Sequence, residues 1–161
     1  MMYRRFLSAA AAVALGAGAI APAFAQSAAP APAVALQGDV KVVRQVTENG
    51  VTREALEEPQ QVLPGDRLVF TTRYTNSGAD AATDFVVTNP LPAPVKLAKV
   101  DNFEVSVDGG KTFGALAALK ATGADGAPRA AELADVTHVR WRVASIAPGA
   151  SGEVKYFAEV R

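Results

Sequence analysis

Arg67-Leu68-Val69-Phe70-Thr71-Thr72-Arg73-Tyr74-Thr75 is the stretch whose reading decides the fold. In extended backbone, Leu68, Phe70 and Tyr74 share one side and Arg67, Thr71 and Arg73 the other. Successive side chains of a strand point to opposite faces, so this period of two marks a half-buried strand. Pro64-Gly65-Asp66 turns the chain in and Asn76-Ser77-Gly78 turns it out. These are residue types that favour turns for separate steric reasons.

The same pattern repeats on both sides. Upstream, the runs Val40 to Val46 and Val51 to Glu57 flank Glu48-Asn49-Gly50, with Pro59 ending the second. Asn-Gly between two such runs is a strong hairpin signal, because both residues tolerate positive φ. Downstream, Thr83 to Thr88 carries Phe85 and Val87 inward, and Asn89-Pro90-Leu91-Pro92 is expected to end it. Val95 to Val100 and Phe103 to Val107 read as short strands, and Asp108-Gly109-Gly110 as a tight hairpin into Lys111-Thr112-Phe113. Val139, Trp141 and Val143 share one face of the next strand. After Ala147-Pro148-Gly149, Val154, Tyr156, Ala158 and Val160 share one face of the last. Ala115 to Asp135 is rich in Ala and Gly and follows neither period; Ala115 to Lys120 reads equally as a helical turn or a strand. About eight or nine short strands separated by turns imply an all-β, antiparallel β-sandwich over residues 38–161.

The N-terminus reads as an export signal. Arg4-Arg5 precedes an uncharged small and apolar run, and Ala23-x-Ala25 before Gln26 has the small-residue spacing of a cleavage site. Cleavage is expected between Ala25 and Gln26, giving a signal peptide over 1–25. The run is too short and too broken by Pro22 for a spanning helix of about 20 apolar residues. Residues 26–37 are Ala/Pro-rich and uncharged, which predicts a disordered tether. Removing Arg4 and Arg5 from 16 basic and 16 acidic residues leaves a net charge near −2. That balance argues against nucleic acid or an anionic membrane surface as partner. With no cysteine, disulfides, thiol catalysis and cysteine metal sites are excluded. A periplasmic or secreted protein with no further membrane span is the expected compartment.

Three segments, taken in order, carry a resemblance. They are Leu63-Pro64-Gly65-Asp66 with Val69 to Gly78, then Ala82 to Pro92, then Ile146-Ala147-Pro148-Gly149-Ala150-Ser151-Gly152. Together they resemble the bacterial conserved repeat domain family of unknown function (domain of unknown function eleven), over roughly Val40 to Arg161. The resemblance implies an immunoglobulin-like sandwich. Members often carry an acid where this chain has Asn89, so no cation site is carried over to that position. Many members repeat the domain in surface arrays, whereas this sequence holds one copy.

Candidate chemistry is sparse. His138 is the single histidine, and no Gly-x-Ser-x-Gly elbow exposes a serine nucleophile. The expectation is therefore no enzyme, no catalytic residues, no metal ligands and no cofactors. Ser106-x-Asp108-x-Gly110-x-Thr112-Phe113 matches an Asp-box pattern, in which Ser and Asp side chains bond the backbone of a tight turn and Gly takes positive φ. A propeller would repeat the motif around its blades, and it occurs once, so a stapled hairpin is expected. Arg67, Arg73, Arg140 and Arg142 are expected to form an exposed basic stripe, the candidate interaction face. The function expected is an exported, non-catalytic interaction or structural module of the cell envelope, whose partner is an envelope protein or polysaccharide. The alternative is a soluble periplasmic binder of a sugar or a divalent cation.

Overall fold

Asn49 (φ 52) and Gly50 (φ 78) both take the left-handed conformation that a two-residue hairpin turn requires. They join β1 (Val34–Glu48) to β2 (Val51–Glu57) in the first of the antiparallel pairings. The chain continues through β3 (Arg67–Asn76), β4 (Ala82–Pro90), β5 (Val95–Leu97) and β6 (Glu104–Ser106). A small hairpin of β7 (Lys120–Thr122) and β8 (Pro128–Ala130) precedes β9 (His138–Ile146) and β10 (Ser151–Val160). The computed structural model describes residues 33–161. The export signal, the cleavage position Ala25/Gln26 and residues 26–32 of the expected tether lie outside the described residues.

The strands form an all-β antiparallel sandwich. One sheet has five strands in the order β2-β1-β3-β10-β5, and the other has three in the order β4-β9-β6. Val42, Leu68, Leu97, Tyr156 and Ala158 of the first sheet meet Val87, Val105, Val139 and Trp141 of the second. Phe70 stacks on Tyr156 with ring centroids 4.8 Å apart, and Trp141 lies 6.2 Å from the same tyrosine. Each such ring buries a large apolar surface and gains further from offset or tilted geometry. β9 therefore lies across from β10. Asn89 Nδ2 donates to Thr72 Oγ1 at 2.6 Å, which places β4 across from β3.

Four sequence expectations need correction. The strand expected to begin near Val40 begins at Val34, so residues 34–37 of the expected tether are paired backbone, with Gln37 opposite Arg73. Proline stops at Pro32, and beyond it every residue of the segment can donate to a ladder. β4 runs on through Asn89 and Pro90, since β4 is an edge strand and a terminal proline there costs no inter-strand donor. Lys111-Thr112-Phe113 forms no strand; only Gly114 bridges back, to Val105. Ten strands are present among the described residues rather than eight or nine, because the Ala/Gly-rich 115–135 region hides the β7–β8 hairpin between two 3₁₀ turns.

At one end the sheets are joined by a side chain first read only as part of a turn. Asn76, 0% exposed, donates from Nδ2 to the Asp80 carbonyl and to the Ile146 carbonyl, both at 2.8 Å. Its Oδ1 accepts from the Gly78 N–H at 2.9 Å. Its backbone N–H and C=O pair with Ala150 and Gly149 in the β9–β10 turn. Replacing Asn76 by Ala strands two carbonyls and one N–H, each worth ~1 kcal/mol or more when buried unpaired. Asn76→Ala should lower the urea midpoint by the equivalent of about 2–4 kcal/mol without changing the slope. Asn76→Asp should also destabilise, because a carboxylate cannot donate to the two carbonyls. Wild-type stability in Asn76→Asp at neutral pH would contradict the assignment.

Candidate functional site

The Asp-box segment closes over the end of β6. Ser106 is 0% exposed and opposes His138 in the β6–β9 ladder. Its hydroxyl donates to Asp108 Oδ1 at 2.7 Å and accepts the Gly110 N–H at 3.0 Å. Asp108 Oδ1 also accepts from the backbone N–H groups of Lys111 (3.1 Å) and Thr112 (2.9 Å). Gly109 (φ 77) and Gly110 (φ 84) take the left-handed backbone that this tight path needs. The Thr112 N–H, the Ser106 hydroxyl and the Lys111 N–H hold the Asp108 carboxyl far below the usual carboxylate range. The staple is thus a loop of residues 107–113 rather than the expected paired hairpin.

Thr137, absent from the sequence-level reading, locks this loop to β9. Its N–H and hydroxyl donate to the Ser106 carbonyl at 2.8 and 3.1 Å, and its oxygen accepts the Gly109 N–H at 3.2 Å. His138 Nδ1 lies 3.1 Å from the same hydroxyl, and a Cβ at Gly110 would come within 3.4 Å of the imidazole. Serine, aspartate and histidine therefore do come together, but in bonds that serve the loop. The buried Ser106 hydroxyl gives its hydrogen to Asp108, which is not the serine-to-histidine hydrogen bond that nucleophile activation needs. Among the described residues no three His, Asp or Glu side chains are grouped to hold a metal ion.

Phe113 links the Asp-box to the arginines. The Arg140 guanidinium sits 4.1 Å from the Phe113 ring centroid, a cation–π distance. The same guanidinium donates to Glu104 Oε2 from Nε at 2.9 Å, with NH2 at 2.7 Å, and Arg142 approaches that oxygen at 3.4 Å. Chiefly through the Arg140 hydrogen bond, the Glu104 carboxyl titrates below its ordinary value.

The expected basic stripe does not exist as one surface. Arg67 and Arg73 lie on β3 of the five-stranded sheet, and Arg140 and Arg142 on β9 of the three-stranded sheet, each pointing away from the core. The two pairs occupy opposite outer faces. Each arginine also has an acidic neighbour: Glu54 for Arg67, Glu153 for Arg73 and Glu104 for the β9 pair. Alternation along a strand reports the face relative to its own sheet, not which sheet the strand joins.

Comparison with protein families, curated proteins and solved structures yields no significant match. Among the described residues no helix is long and apolar enough to cross a membrane.

The depressed Asp108 carboxyl sets a pH dependence. Its ionised form contributes stability above its ordinary value of 3.8, and that contribution is lost as pH falls toward the lower folded value. Asp108→Ala should unfold at lower urea than wild type at neutral pH, and the gap should shrink between about pH 5 and about pH 2.5. Urea melts across that range check it; a gap independent of pH would show that the ionised carboxylate does not hold the loop.

Proposed function

We propose that this chain is an exported, non-catalytic interaction or structural module of the bacterial cell envelope, built on an immunoglobulin-like sandwich. One observation carries the reading. The reactive side chains that the fold gathers (Ser106, Asp108, His138, Glu104 and Arg140) are engaged with one another and with backbone. What the described surface offers instead is strand edges and apolar side chains such as Leu36 and Val86. Recognition by strand addition or by shape uses these features and requires no reactive group. The export signal pattern and the resemblance to the conserved repeat domain family support the compartment and the sandwich type.

The test is in-cell crosslinking of the tagged protein in its native host, followed by affinity purification and mass spectrometry. One envelope protein recovered at near-equal stoichiometry is the expected result. Recovery of monomer alone, under conditions that keep known envelope complexes intact, would overturn the proposal.

A further inference from the structure

The two sheets do not match in width. β4 lies across from β3 and β9 across from β10, so the next strand of the five-stranded sheet, β1, has no described strand facing it. Its core-side residues show the consequence. Val42 is 1% exposed, but Leu36, on the same face and opposite Tyr74, is 52% exposed. Between them Gly38 borders an open hollow of about 420 Å³, lined with Asp39, Val40, Glu58, Pro59, Phe70 and Thr71.

Beside this uncovered face runs the edge of β4. Other edges carry charge or are short. β2 carries Arg53, Glu54 and Glu57, β5 and β6 are three residues long, and the outer side of β1, which has no partner before Val42, carries Asp39 and Lys41 beyond an uncharged Val34–Gly38. Asp84 (φ 50) drops out of the β4–β9 ladder, and beyond it Phe85-Val86-Val87-Thr88-Asn89 presents five residues without a charge. Such an edge is a template for another strand.

Gly38 adds a separate argument. Its φ is outside the left-handed region, and a Cβ built on it meets nothing within 4 Å. Neither turn geometry nor packing among the described residues calls for glycine, which weakens a strand interior and often marks close approach of another backbone.

Resting on the interaction-module reading, we propose that the β4 edge accepts a single extended strand of a partner protein, laid over Leu36, Gly38 and Val40. The strand carries apolar side chains at alternate positions and no proline at the paired ones. A second copy paired antiparallel through the same edge does not fit. Antiparallel pairing of two β4 edges would bring the partner's β3 beneath its own β4, into space already held by β1. Residues 26–32, Gln-Ser-Ala-Ala-Pro-Ala-Pro, hold no large apolar side chain to set against Val40 and Phe70.

The experiment uses the chain from Gln26, isotope-labelled for amide spectra. The probe is a synthetic ten-residue peptide of alternating valine and threonine with lysine ends; the control peptide has proline at its centre. The expected result is amide shifts and slowed hydrogen exchange confined to Phe85–Asn89 and Leu36–Val40, with the control inactive. Gly38→Phe fills open space, so it should keep the wild-type melting temperature and weaken peptide binding at least tenfold. No shift at millimolar peptide, shifts along β2 or β5, or unchanged affinity in Gly38→Phe would each overturn the proposal. Protection of β4 amides without peptide, lost when residues 26–31 are removed, would assign the slot to the chain's own segment and overturn it likewise. So would a concentration-dependent dimer that protects β4. A native partner crosslinked only elsewhere would leave the module reading standing while removing this one.

Discussion

The alignment of the two sheets depends on the buried amide of Asn76. A neutral amide taken out of water without partners costs several kcal/mol, so an asparagine at 0% exposure is tolerable only if fully bonded. Here each Nδ2 hydrogen has a carbonyl and Oδ1 has an N–H. The Ile146 carbonyl belongs to β9, whereas Asn76 ends β3, so the bond ties strands of opposite sheets at one level. Sliding either sheet by one residue would break that bond and also the contacts of Asn76 with the β9–β10 turn. The rest of the packing, with Trp141 near Tyr156 and β4 across β3, follows from that fixed end.

How much of this was legible in the sequence depended on whether the signal was local. Period two found β3, β9 and β10 with their inward faces, and Asn49-Gly50 located the first hairpin, because strand alternation and positive φ are properties of neighbouring residues. The Ser106 and Asp108 bonds to their own loop were legible for the same reason. The roles of Thr137, Asn76 and the Arg140–Phe113 contact were not, since each joins positions far apart in the chain. Val69 makes the point within one strand. It sits on the charged face of β3 yet is 3% exposed, beside Phe157, which Arg67 and Lys99 cover at 5.6 and 5.5 Å. The stems of long charged side chains can bury apolar surface that a polar pattern conceals.

The pairing of the arginines also bears on how this surface can recognise anything. Exposed ion pairs such as Arg67 with Glu54 and Arg73 with Glu153 add little stability, but they cancel charge locally. With 14 bases against 16 acids once Arg4 and Arg5 are set aside, the net charge is small and steers a partner weakly from a distance. Specificity then has to come from short-range features: backbone edges, shape and apolar contact.

Of these, the edge carries the greater hazard, because an uncharged edge pairs with any extended chain. Charge on the edge would remove the hazard together with the binding. An overhanging neighbour acts differently. β1 lies beyond β4 in the wider sheet, so in antiparallel pairing of two β4 edges the partner's β3 would fall on β1. The length of β1 follows from its two pairings, Val34–Val43 with β3 and Val42–Glu48 with β2, which share only two residues. Before Val42 the outer side of β1 therefore has no partner, so the segment that holds Leu36 is open at its side as well as at its face, and an added strand meets backbone on two sides there.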